Sequence, residues 1–195
     1  MIFYTSDHHW GHANIIKYQN RPYSSVQEMD RDMITKWNSV VKPHDVVYHL
    51  GDFAFYHAPQ ILSLRRQLNG TIHIIWGNHD KRVKEALSVY PQLFETAEYY
   101  KEIHDSGEHI TLCHYAMRVW NKSHRGSLML YGHSHGQLND NNQSLDVGVD
   151  AWNFRPVTLA EIKNRMKTLP AFYQEDFHGK PSWEIVHGKT GPEKV

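Results

Sequence analysis

Five short stretches of the chain carry side chains that can donate electron pairs to a cation: Asp7-His8-His9, Gly51-Asp52, Gly77-Asn78-His79-Asp80, His114 and Gly132-His133-Ser134-His135. Carboxylate, imidazole and amide donors together suit a first-row transition metal better than magnesium, which prefers an all-oxygen shell. In Asp-x-His and His-x-His the outer residues project to the same side of an extended backbone, so both can reach one ion. The glycines let the backbone turn sharply and approach a ligand closely. Singly, each stretch has a bland explanation. Gly-Asp is usually a turn, Asn-His-Asp can cap the helix that follows, and Asp-x-His or His-x-His can sit in a solvated loop. All five fall just past an apolar, strand-like run, and chance explains that recurrence poorly.

The elements that must position these residues are readable around them. Ile2–Thr5 is an apolar strand ending at Ser6-Asp7, Val46–Leu50 a second ending at Gly51-Asp52, and Thr71–Trp76 a third ending at Gly77. Ser25-Val26-Gln27-Glu28 has capping-box form, and Val26, Met29, Met33, Trp37 and Val40 recur at helical spacing behind it. A further helix follows Pro59 and is closed by Asn69-Gly70; another covers Lys81 to Val89. Tyr99–His104 and His109–Cys113 flank a hairpin turn, Ser127–Tyr131 and Ser144–Val149 are two more strands, and Thr158-Leu159-Ala160-Glu161 opens a last helix. Alternating strands and helices followed by a strand-rich half predict a layered α/β domain, part parallel and part antiparallel. In such sheets ligands gather at the carboxyl ends of the strands. The expected domain spans residues 1–168, with 169–195 as a tail, rich in proline and mixed charge, that packs on the domain or frays; Trp183–Val186 within it reads as extended.

Composition bounds the function. With 195 residues, 40% hydrophobic and 22% charged, the chain suits one soluble domain. Twenty-one basic side chains balance twenty-one acidic ones, which argues against coating nucleic acid or an anionic membrane through a strong overall field. Cys113 is the single cysteine, so no internal disulfide forms, and it reads as a buried strand residue. No signal-peptide pattern opens the sequence and no apolar run reaches the roughly 18 residues of a membrane span. The expected location is cytoplasmic. Sixteen histidines are the oddity; spread from His8 to His187, they are not a tag.

In their order, Asp-x-His, Gly-Asp, Gly-Asn-His-Asp, a strand-terminal His and Gly-His-x-His resemble the motifs of the calcineurin-like metallophosphoesterase superfamily. The likeness covers about residues 1–160 and is nearest to the small bacterial and phage phosphoesterases, in which the first motif likewise continues as Gly11-His12-Ala13-Asn14-Ile15-Ile16 and Asn20-Arg21-Pro22. The resemblance implies a four-layer α/β/β/α sandwich with mixed sheets and a two-metal site at one edge. It makes Asp7, His9 and His135 ligands of one ion, Asn78, His114 and His133 ligands of the other, and Asp52 a bridge between them. His79 would lie over the phosphate and protonate the leaving oxygen, with Asp80 orienting it. The implied reaction is in-line attack on a phosphate ester by a hydroxide held between two divalent cations, manganese foremost, with iron, zinc, cobalt or nickel as alternatives. Unlike the protein Ser/Thr phosphatases, the second motif here, Gly51-Asp52-Phe53-Ala54-Phe55, carries no further Asp and Arg, and the third ends in Asp80 rather than Glu. That argues against a protein substrate.

Two loops are candidates for holding substrate. His12, Asn14 and Arg21 follow the first motif; Arg118 and Arg125, with Trp120 between them, follow His114. Arginine matches phosphate through its planar donor fork and an aromatic ring can stack a base, so the expected substrate is a nucleotide-like phosphodiester. Solvated surface is the alternative for Arg118 and Arg125, and packing for Trp120. A small-molecule phosphomonoesterase is the competing activity. A non-catalytic scaffold of the same fold is the competing class, although such proteins usually lose ligands or the catalytic His, and here every position is filled. A one-ion protein would use three or four of these ligands and leave the rest idle.

Overall fold

A computed structural model describes residues 1–172. Two mixed sheets pack face to face. The first holds β1 (Ile2–Thr5), β2 (Val46–His49), β3 (Thr71–Ile75), β4 (Thr96–Glu98) and β9 (Val157–Thr158), in the order β4-β3-β2-β1-β9; β1 to β4 are mutually parallel and β9 runs antiparallel to β1. The second holds β5 (Tyr100–Asp105), β6 (Glu108–Cys113), β7 (Leu128–Tyr131) and β8 (Ser144–Asp146) in that order, with only β5 antiparallel to its neighbour.

Strand alternation sorts the core into layers. Phe3, Val47, Ile72 and Ile74 face outward from the first sheet onto α2 (Val26–Val40), α3 (Ala58–Arg65) and α4 (Lys81–Val89), meeting Met29, Met33, Trp37, Ile61, Leu64, Val83 and Ala86. Tyr4, Tyr48 and Ile75 face the other way and join Ile103, Ile110, Leu112, Leu128, Leu130 and Leu145 between the sheets. The last helix, α5 (Leu159–Met166), closes that inter-sheet core with Leu159, Ile162 and Met166. Beyond the second sheet, Cys113, Met129 and Tyr131 are covered by Trp120, Met117 and Phe172. Among the described residues an irregular segment thus supplies this outer layer. The expected mixed α/β class holds.

Several local readings hold and some shift. α4 covers the expected residues, and Thr158 and Glu161 form the reciprocal capping box. At α2, Ser25 Oγ accepts from Glu28 N–H, but the Glu28 carboxylate reaches Ser24 rather than Ser25. α3 stops at Arg65 instead of running to Asn69, because the Arg65 guanidinium donates to the carbonyls of Leu68, Gly70 and Leu93 and holds the chain in a turn there. α1 (Ala13–Tyr18), β4 and β9 were not expected from the pattern. The start of the tail is packed: Phe172 lies on Trp120, and Pro170 accepts from Asn142 N–H. The extended reading of Trp183–Val186 lies outside the described residues. None of the described helices is long and apolar enough to cross a membrane.

The carboxyl ends of β1, β2, β3, β6 and β7 converge on one edge of the sandwich. The β1–β2 pairing outlives the strands, with Asp7 N–H donating to Gly51 O at 3.0 Å and His9 N–H to Asp52 O at 3.0 Å. Ser6 pairs with Gly148, stitching the ends of β1 and β8 across the two sheets. Beneath this edge two fully buried histidines meet, His8 Nδ1 lying 2.9 Å from His49 Nε2, while Gly51 N–H donates to His49 Nδ1 at 3.3 Å. A neutral His49 therefore carries its proton on Nε2 and donates it to His8. His8 stacks on Trp10 at 3.9 Å.

Burial, aided by His114, pushes the His49 pKa down to about 3, whereas the unfolded chain takes up that proton near a pH of roughly 6.5. The unfolded state then binds more protons throughout that window, so the stability this pair permits is complete above it and falls as pH drops toward 3. For metal-free protein, urea midpoints measured between pH 7 and 4 should therefore fall less steeply in His49→Gln than in wild type. Equal slopes would contradict this account of the pair.

Candidate metal centre

Five of the seven expected ligands sit in the left-handed backbone region: Asp7 (φ 58°), His9 (φ 53°), Asp52 (φ 54°), His133 (φ 66°) and His135 (φ 49°). Side chains other than glycine rarely adopt it, and such strain persists only where the surroundings over-determine it. The surroundings do so here. The Asp80 carboxylate is buried and accepts three backbone N–H groups, from Asp52 (2.9 Å) and Gly77 (2.8 Å) on one oxygen and Phe53 (2.8 Å) on the other. It thereby clamps the loop after β3 to the loop after β2, and makes no cap bond to α4. Two glycines are needed for close approach. A Cβ on Gly77 would lie 2.2 Å from Asp52 Oδ1, and one on Gly132 would lie 2.2 Å from Ser6 Oγ and 2.5 Å from Asp7 Oδ2.

The donor atoms fall into two groups. One oxygen or ring nitrogen from each of Asp7, His9 and His135 lies within 4.8 Å of the others, and the same holds for Asp52, His114 and His133. Asp52 spans the two: Oδ2 is 3.5 Å from His9 Nε2, and Oδ1 is 3.6 Å from His114 Nε2. His79 donates its backbone N–H to Asp52 Oδ1 at 2.9 Å. Hydrogen bonds to the far ring nitrogens aim two imidazoles inward. His114 Nδ1 lies 2.7 Å from Leu50 O, and His135 Nδ1 lies 2.7 Å from Asp150 Oδ2, so in neutral rings the lone pairs sit on Nε2.

This arrangement fits cations. Asp7 Oδ1, His9 Nε2 and Asp52 Oδ2 are buried and have no hydrogen-bond partner. His114 Nε2 lies 3.0 Å from Asn78 Oδ1, and a neutral His114 that donates through Nδ1 presents two electron pairs to each other at that contact. Burial, the largest cause, pushes the Asp7 carboxyl well above the usual carboxylate range, and burial with the neighbouring His135 and Arg21 pushes the His9 imidazole well below its own. A cation would reverse the first tendency, holding the carboxylate ionised, and reinforce the second, keeping the imidazole neutral with its lone pair free to bind.

The residues outside these groups divide. His79 is exposed, its ring 5.7 Å from that of His9 and 5.4 Å from that of Phe55. His12 is half-buried against Phe55, with ring centroids 4.1 Å apart, and 5.7 Å from His9. Asn14 lies on the exposed side of α1, and Arg118 and Arg125 are exposed in the segment after His114. Trp120 is buried and donates to Ser127 O, which makes it a packing residue. Arg21 is a correction. Its guanidinium is buried and all five N–H groups are used inside the fold, on Asp150, Asp7 O, His8 O and Met29 Sδ, so it has no donor left for a substrate. Asp150, which links Arg21 to His135, was missed in the sequence, as was Tyr115. That tyrosine is 46% exposed and its ring stands 4.9 Å from both His114 and His133, at the mouth of the site.

The profile of the calcineurin-like phosphoesterase superfamily domain matches residues 1–153. An uncharacterized protein of Methanocaldococcus jannaschii is 35% identical over 167 residues, spanning 81% of this chain and 86% of that protein. The gene 66 protein of Mycobacterium phage L5 is 27% identical over 193 residues, spanning 82% of this chain and 91% of that one. Among solved structures, a protein of unknown function from Aquifex aeolicus shares the fold, with a TM-score of 0.66 at 24% identity over 85% of this chain and 98% of that chain.

Replacing Asp80 by Asn turns one acceptor oxygen into a donor facing a backbone N–H. Leaving a buried group unsatisfied costs about 1–3 kcal/mol, so Asp80→Asn should lower the unfolding free energy by that amount in urea titrations. A loss near zero would mean that the three backbone bonds do not hold the two loops together.

Proposed function

The chain belongs to the calcineurin-like phosphoesterase superfamily, and from that premise we propose that it hydrolyses a nucleotide-like phosphodiester at a site holding two divalent cations, manganese foremost. The observation that carries this reading is the placement of Asp52, whose two oxygens face two separate donor groups. Asp7, His9 and His135 would hold the first ion, and Asn78, His114 and His133 the second. When bound, two such ions supply Lewis-acid polarisation of a phosphoryl group and acidify a water molecule.

The chain's own residues supply the rest. His79 stands exposed beside Asp52, its position fixed by the bond from its own N–H to Asp52 Oδ1. From there its imidazole donates a proton to the departing oxygen. Asp80 acts at one remove, by fixing the loop that carries His79 rather than by touching its ring. On the two sides of the site, Tyr115 and the Phe55–His12 stack offer ring faces and edges that suit a nucleobase. Arg118 and Arg125 would meet the remaining phosphate charge. A small phosphomonoester is the second candidate substrate, but it gives these rings nothing to hold. The proposed location is cytoplasmic.

His79 separates this mechanism from a merely structural one. A ribose-like alkoxide leaves poorly without a proton, whereas nitrophenolate hardly needs one. His79→Ala should therefore cut turnover of a nucleoside or alkyl phosphodiester by about 10²–10⁴-fold and that of a nitrophenyl ester distinctly less, with metal content unchanged. Equal losses on both substrates would reject the proton-donor role.

A further inference from the structure

The two donor groups are built to different standards. Asp7 and His9 are buried and His135 nearly so, whereas Asn78 and His133 are exposed. Behind the first group lies a buried arginine–carboxylate pair, which has no counterpart at the second group among the described residues. Arg21 Nε and one terminal nitrogen grip the two oxygens of Asp150, each at 2.8 Å. Asp150 Oδ2 also accepts from His135 Nδ1 at 2.7 Å. Two of the three remaining guanidinium N–H groups reach Asp7 O at 2.7 Å and His8 O at 2.8 Å, inside the turn where Asp7 and His9 both hold positive φ. One planar cation thus fixes all three ligands of this group: two through backbone carbonyls and the third through a carboxylate that orients its ring.

We infer that Arg21 and Asp150 are positioning residues for the first ion pocket alone, and that they make it the tighter of the two. The inference rests on the two-ion reading above. The second pocket has other devices, the bond between His114 Nδ1 and Leu50 O and the Asp80 clamp on the backbone of the loop that carries Asn78, but neither holds the side chains of Asn78 and His133, which face solvent. Most of the ordering cost at the first pocket is met on folding, before any ion arrives, because Asp7 and His9 are buried and His135 is bonded to Asp150. At the second pocket Asn78 and His133 still lose rotamer freedom on binding. The first ion should therefore be retained when the second is removed by dialysis against a weak chelator. Arg21→Lys keeps the charge but cannot reproduce a planar fork with five donors. Asp150→Asn keeps the shape but replaces one acceptor oxygen with a donor.

Manganese binding by calorimetry, in backgrounds that isolate each pocket, tests the inference. His133→Ala leaves the first pocket intact, and His9→Ala leaves the second. Adding Asp150→Asn or Arg21→Lys to the first background should weaken the remaining binding event by about 10–100-fold, the usual effect of losing a partner behind a metal-binding His. Adding either to the second background should change it less than about twofold. Equal weakening in both backgrounds, read on folded protein by circular dichroism, would reduce the pair to a general stabiliser and overturn the inference. Wild-type chain that takes up fewer than two ions would instead contradict the two-ion reading itself.

Discussion

Asp52 is buried, its backbone lies in the left-handed region, and its two carboxylate oxygens point to different groups of ligands. That combination sets the conditions for the rest of the structure. A carboxylate taken out of water is costly unless it is paired and hydrogen-bonded, yet Oδ2 has no hydrogen-bond partner and Oδ1 has only the His79 N–H and the nearby His114. Asp7 repeats the pattern, with Oδ2 bonded to Ser6 and His133 N–H and Oδ1 left bare. Two bare carboxylate oxygens beside inward-turned imidazoles form a cluster of donors suited to positive charge.

Holding these atoms still requires backbone that the chain would not adopt alone, and the fold distributes that task. Parallel strands from both sheets end at one edge, so five loops arrive there together. Buried polar contacts then fix these loops to their neighbours, the loop after β6 through His114 Nδ1 and Leu50 O. Asp80 joins the β2 and β3 loops, Ser6 and Gly148 join the two sheets, and Arg21 with Asp150 joins the first motif to the loop after β7. Buried polar groups of this kind are weak evidence of stability but strong constraints on geometry. The apolar layers, by contrast, supply stability without specifying where a ligand atom points.

What the sequence disclosed follows this division. The five motifs and the elements carrying them were legible because strand ends, caps and helical periodicity are written within a few residues of each other. α2, α4 and the capping box at Thr158 are of that kind. The anchors were not legible, because Arg21 meets Asp150 across 129 positions and Asp80 meets Asp52 across 28. Arg21, close behind the first motif, reads from the sequence alone as a substrate contact. Only burial and five internal acceptors reveal it as a brace. Asp150 lies just past the strand-like run Ser144–Val149, in a Gly-Val-Asp stretch with no pattern of its own. α1, β4 and β9, of six, three and two residues, are too short to show a period.

The account turns on one carboxylate serving two ions. Anomalous diffraction from crystals grown with manganese measures that directly. The expected result is two peaks per chain about 3.5–4 Å apart, with Asp52 Oδ2 on the one nearer Asp7 and His135, and Asp52 Oδ1 on the one nearer His114 and His133. A single ion at full manganese occupancy, or two ions of which only one touches Asp52, would contradict it.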